Sequence, residues 1–164
     1  MKKTVKIASI IVISMLVSQA GILATVAAEA QVPVSINAPD IVGPGSNFTA
    51  TIDIGGVVDL NGAQYDISFD PSVLRLDDVT AGEIDGTEIP VDIWNEISPG
   101  TYTIVQNVPG LEGVSGSGYL AVLHFRVKGS SGTSTSITLQ NGWLSDKEAK
   151  QIIAQWIGDL VNVS

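Results

Sequence analysis

From residue 31 onward, short apolar and β-branched runs alternate with polar residues at period two and are separated by Gly, Pro, Asn, Asp and Ser. The pattern predicts strands at Val32–Asn37, Asn47–Ile54, Gly62–Phe69, Val73–Thr80, Ile89–Trp94, Thr101–Val108, Gly118–Lys128, Ser136–Leu139 and Trp156–Val163. Turns fall at 40–46 (DIVGPGS), Asp70-Pro71, 98–100 (SPG), 109–117 and 129–134. Alternation assigns the faces. Phe48, Ala50, Ile52 and Ile54 share one side of their strand, and Asn47, Thr49, Thr51 and Asp53 the other. Ala63, Tyr65, Ile67 and Phe69 point inward, leaving Gln64, Asp66 and Ser68 outward. Ala121, Leu123, Phe125 and Val127 point inward, leaving His124, Arg126 and Lys128 outward. Half-buried strands with frequent turns imply an all-β protein, two sheets packed face to face as a β-sandwich.

One stretch reads two ways. Ala149, Ile152, Ile153, Trp156, Ile157 and Leu160 follow helical spacing, and Ser145 with Glu148 fits a capping box, so Asp146–Ile157 reads as an amphipathic helix. Val161 and Val163 favour a strand at the end.

The N-terminus differs from the rest. Lys2, Lys3 and Lys6 precede an apolar run, Ile7–Val17, and small residues follow at 26–28 or 28–30, so residues 1–30 read as a signal peptide. The apolar length is close to that of a membrane anchor, but Ser14, Ser18, Gln19 and the small-residue end favour removal, with the mature chain starting near residue 29 to 31. Residues 31–164 then form one domain of a secreted protein, without stable membrane insertion after cleavage.

Charge narrows the partners. From Gln31 on, five basic residues face 16 acidic ones, a net of −11. Such a surface repels phosphate backbones and argues against nucleic acid and anionic membranes. The chain has no cysteine, which excludes disulfides, thiolate metal sites and a thiol nucleophile.

Three segments taken in order resemble a cohesin domain. They are 34–54 (VSINAPDIVGPGSNFTATIDI), 60–79 (LNGAQYDISFDPSVLRLDDV), and 116–129 (GSGYLAVLHFRVKG) with 137–146 (ITLQNGWLSD) and 156–163 (WIGDLVNV). Within the second, residues 69–74 (FDPSVL) are similar to an aromatic-Asp-Pro-x-Val-Leu signature, in which Asp70 caps a turn, Pro71 fixes its backbone angle, and Phe69 and Leu74 bury on either side. The resemblance implies a jelly-roll sandwich of about nine strands that receives dockerins, small calcium-binding modules of secreted enzymes, in the setting of extracellular polysaccharide degradation. It further implies that 152–156 leads into a last strand, and that docking uses the outer face of one sheet. On that face Gln64, Asp66, Ser68, Asp146 and Lys147 are the expected partner-binding residues.

Catalysis finds little footing. His124 is the only histidine and alternates away from the core, and no serine sits in a G-x-S-x-G elbow. Asp77, Asp78, Glu83 and Asp85 lie near turns, where solvated charge is the ordinary role. Asp59, Asp77, Asp78 and Asp85 could offer oxygens to calcium, but no D-x-[DN]-x-[DN]-G run supports a site, so no metal or other cofactor is expected. The alternative function is a carbohydrate-binding module that stacks glycans on exposed Trp94 and Trp143; burial is the competing role for both.

Overall fold

The computed structural model describes residues 30–164; the leader expected over residues 1–30 lies almost wholly outside them. The strands, in chain order, are β1 (Val32–Asn37), β2 (Ile41–Val42), β3 (Asn47–Ser68), β4 (Leu74–Ile84), β5 (Thr87–Ile89), β6 (Ile93–Ser98), β7 (Thr101–Asn107), β8 (Val114–Val127), β9 (Ser134–Asp146), β10 (Gln151–Ile152), β11 (Ala154–Ile157) and β12 (Asp159–Val163). They form a two-sheet β-sandwich of jelly-roll type.

The front layer runs β6-β7-β3-β9 and continues through β12 and β2. The back layer runs β11-β1-β3-β8-β4-β5. Strand β3 belongs to both. Its first half, from Asn47 to Ile54, pairs β1 and β8, and its second half, from Gly62 to Ser68, pairs β7 and β9. Between them the register against β8 shifts twice, and Gly56 and Asp59 take positive φ, so the chain crosses from one sheet to the other through bulges. Two strands predicted from the sequence are therefore one bent strand.

The inward residues of both layers make a single core, with Ile52, Leu60, Tyr65, Ile67, Leu74, Ile84, Ile104, Leu120, Leu123 and Phe125 among its fully buried members. Each such aliphatic or aromatic side chain contributes about 1.5–3 kcal/mol on leaving water, which is how a cysteine-free domain holds together. Phe125 sits in the middle, stacked on Phe48 (centroids 5.3 Å apart) and met edge-on by Phe69 at 5.2 Å.

The Asp-Pro turn forms as its chemistry dictates. Asp70 Oδ1 accepts from the Ser72 N–H at 2.8 Å and from Ser72 Oγ at 2.6 Å, while the Asp70 carbonyl accepts from the N–H groups of Val73 and Leu74. The Ser72 hydrogen bonds hold the Asp70 carboxyl below its usual range. Phe69 and Leu74 on either side are buried.

The helix over Asp146–Ile157 does not form. Asp146 Oδ1 instead accepts from the N–H groups of Glu148 and Lys150, Ala149 takes a φ of 61°, and the chain turns back to lay β10 against β9 and β11 parallel to β1. Ile152, Ala154 and Trp156 are half-buried while Gln151, Ile153, Gln155 and Ile157 are exposed. The same apolar residues satisfy period two once β1 offers an unpaired edge, and tertiary pairing overrides the helical spacing.

Candidate docking face

The outer face of the front layer is laid out in rows by the strand register. The first row is Ile93–Val105–Gln64–Trp143, crossing β6, β7, β3 and β9. The next is Asn95–Thr103–Asp66–Gln140, and beyond it Thr101–Ser68–Thr138. Ile93 and Trp143 are each 49% exposed, Val105 is half-buried between them, and Gln64 is exposed. The first row therefore presents apolar area and one amide, with no charge.

The five residues expected to bind the partner do different things. Gln64 stands free at the centre of the first row. Asp66 faces outward as alternation requires, yet it is 8% exposed, because its carboxylate accepts from Thr103 Oγ1 at 2.5 Å and from Asn141 Nδ2 at 2.8 Å. Its carboxylate is spent on hydrogen bonds between strands. Ser68 is half-buried and shares a 3.1 Å hydrogen bond with Thr101. Asp146 is committed to its turn, and Lys147 reaches away from the rows to Asp59 at 3.5 Å and Glu112 at 3.8 Å. Ile93, Val105, Thr103 and Asn141 were missed. The alternation of Thr101–Val108 could have supplied Thr103 and Val105, but the partners of Asp66 depend on pairing between distant segments.

The two tryptophans proposed for glycan stacking lie on opposite faces of one sheet. Trp94 pairs with buried Ile104, packs on Tyr102 with centroids 5.8 Å apart, and belongs to the core side. Trp143 pairs with Gln64 and faces out. The Trp94–Trp143 platform therefore does not form: Ile93 shares the outer row with Trp143, and alternation along β6 turns the next residue, Trp94, to the other side.

The back layer presents a different exterior. Arg75 and Arg126 flank Asp77 at 2.5 and 3.6 Å, and the hydrogen bond from Arg75 holds the Asp77 carboxyl below its ordinary range. His124 Nε2 lies 3.0 Å from Thr80 Oγ1. Beside them a shallow hollow of about 530 Å³ is lined by Asn47, Phe48, Asp78 and His124. Among the described residues, no group of three or more His, Asp or Glu side chains converges as a metal cage; Asp59 is paired with Lys147, and the Asp85 carboxylate lies against Gly116.

Comparison with solved structures returns the same architecture. The sixth cohesin from scaffoldin B of Acetivibrio cellulolyticus, solved in complex with a Cel5 dockerin, superposes with a TM-score of 0.69 at 18% identity, over 82% of this chain and 100% of that one. A cohesin module from a Clostridium perfringens family 33 glycoside hydrolase gives 0.70 at 17% identity, over 83% and 100%. A non-cellulosomal cohesin from the archaeon Archaeoglobus fulgidus gives 0.69 at 19%, over 82% and 92%. No curated protein matches the chain in sequence. The family model described as Cohesin domain matches residues 32–159, nearly all of the described chain, and with the sandwich above it shows that this chain belongs to the cohesin domain family.

Proposed function

We propose that the chain is an exported, non-catalytic receptor that docks a dockerin module on the outer face of the front layer. The observation that carries this reading is the uncharged row Ile93–Val105–Gln64–Trp143, where the other sheet's exterior carries Arg75 and Arg126 around Asp77. A row of exposed apolar side chains on a sheet is suited to cover by a partner helix, since it gains by leaving water and has no ion to desolvate. Trp143 is the anchor, because a large ring flanked by β-strand neighbours offers the most area to a partner. Gln64 beside it fixes orientation through its amide. Solved relatives support the class of partner: the Acetivibrio module above holds a Cel5 dockerin, and a Clostridium thermocellum cohesin was solved with the dockerin Doc918. A standard interface would bury about 1,600 Å² in total.

Export is part of the proposal and rests on residues 1–30, whose charged start, apolar run and small-residue end are those of a removable leader. Service in polysaccharide degradation is the setting that cellulosomal relatives suggest.

The test is titration of fluorescently labelled dockerin modules, as a panel, onto the immobilised protein, beside a pull-down on insoluble cellulose. Saturable binding of at least one dockerin, reduced at least about tenfold by Trp143→Ala, is the expected result. Retention on cellulose without any dockerin binding overturns the reading in favour of a glycan-binding module.

A further inference from the structure

Strand β9 changes parity within a few residues. Gln140 lies opposite Asp66, and Trp143 lies opposite Gln64, so β9 spends three steps where β3 spends two. Unbroken alternation from outward Gln140 would send Trp143 to the core side. Instead Gly142 faces inward, Trp143 outward and Leu144 inward, the last fully buried. The odd residue is absorbed at Asn141, whose φ is 49°. This is a β-bulge, and asparagine is among the few side-chain-bearing residues that enter the left-handed region readily.

Two contacts fix that conformation. Asn141 Nδ2 donates to Asp66 Oδ2 at 2.8 Å, and the other oxygen of the same carboxylate accepts from Thr103 on β7. The carboxylate thus spans β7, β3 and β9 while almost fully shielded. On the inner side, a Cβ at Gly142 would run into the Trp156 indole, so the inward site that the bulge creates is fitted to glycine. A shift of one residue in register reverses every side chain beyond it. Here the residue so reversed is the most exposed ring on the face.

We infer that Asp66 and Asn141 form a latch that sets the parity of β9 and thereby holds Trp143 on the outer face, which makes them positioning residues for docking rather than contact residues. This rests on the docking reading above. The latch explains why a carboxylate stands within the rows of this face: its charge is consumed by two strands, and the partner meets the tryptophan it positions.

The experiment uses the whole protein labelled with 5-fluorotryptophan. Its three tryptophans give three fluorine signals, Trp143 being identified by its loss in Trp143→Phe, and the shift between H₂O and D₂O reads exposure ring by ring. In Asn141→Gly, where glycine enters the left-handed region freely but the hydrogen bond to Asp66 is gone, the Trp143 signal stays exposed and broadens in part. In Asn141→Val, whose β-branched side chain resists it, the Trp143 signal moves or splits and loses about half or more of its solvent shift while that of Trp94 is unchanged. In Asp66→Ala the Trp143 signal broadens. The tightest-binding dockerin of the panel loses about tenfold or more in affinity for the last two variants and a smaller part of that for Asn141→Gly, which keeps the backbone conformation and lacks only the bond to Asp66. A Trp143 signal identical to wild type in Asp66→Ala overturns the latch, and does so even if Asn141→Val fails to fold. An altered Trp143 signal with unchanged dockerin affinity leaves the parity device intact and overturns its role in docking. If no dockerin binds the wild type, the docking reading falls, and the fluorine signals still decide the latch.

Discussion

Removing one oxygen from the centre of the sandwich is expected to cost more than its size suggests. Tyr65 is fully buried, and its O–H donates to Gln106 Oε1 at 2.8 Å. Gln106, 1% exposed on β7 of the front layer, turns its Nε2 across the core to the Leu120 carbonyl on β8 of the back layer at 2.7 Å, with longer approaches to the carbonyls of Ile89 and Pro90. The pair is a polar staple between the sheets in a region water does not reach. Tyr65→Phe leaves Gln106 Oε1 without a donor, at a cost of about 1–3 kcal/mol. Gln106→Leu deprives both the Tyr65 hydroxyl and the Leu120 carbonyl, at about 2–5 kcal/mol. In the double variant the hydroxyl and the amide vanish together, so only Leu120 is left wanting. The cost of the double variant should then fall short of the sum of the two single ones by about 1–2 kcal/mol. Urea unfolding followed by tryptophan fluorescence measures all four corners of the cycle. Affinity for dockerin should not change in Tyr65→Phe, because the staple faces inward. A Tyr65→Phe variant within about 0.5 kcal/mol of wild type, or strictly additive losses, refutes the staple.

Three further outcomes are expected. Burial pushes the Tyr65 hydroxyl far above its ordinary 10.0, so above that pH the unfolded chain releases a proton that the folded one retains. Stability should hold below about pH 10 and fall by up to about 1.4 kcal/mol per further pH unit, and Tyr65→Phe should remove most of that slope when urea midpoints at about pH 9 and about pH 11 are compared. Gly142→Ala drives a methyl into the Trp156 indole, which lies 5.8 Å from the Tyr65 ring; it should cost about 1–3 kcal/mol in thermal or urea unfolding, and an unchanged midpoint contradicts the close approach. Mass spectrometry of material secreted from an expressing host should find the chain starting near residue 29 to 31, and an intact N-terminus in the membrane fraction would show an anchor instead.

Much of the sandwich was legible because alternation is a local signal. Phe48, Ala50, Ile52 and Ile54, and Tyr65, Ile67 and Phe69, turn to the core as the sequence pattern requires, and the Asp70 turn forms from residues two to four positions apart. What alternation could not show is what depends on distant strands. Asp66 was placed on the correct face, but its partners, Thr103 and Asn141, lie 37 and 75 residues away. The predicted strand ends at Leu139, whereas β9 runs on to Asp146 through a bulge at Asn141, and Trp143 changes side there. The 146–157 segment carries apolar residues that suit either period; only the free edge of β1 decides between them.

The central claim is that the partner covers the front layer, and amide and indole chemical-shift mapping during titration with the tightest-binding dockerin tests it most directly. Ile93, Gln64, Val105 and the Trp143 indole should move together as the complex forms, with Thr49, His124 and Arg126 on the opposite sheet unmoved. Shifts clustered on that opposite sheet, with the Trp143 indole left in place, would contradict it.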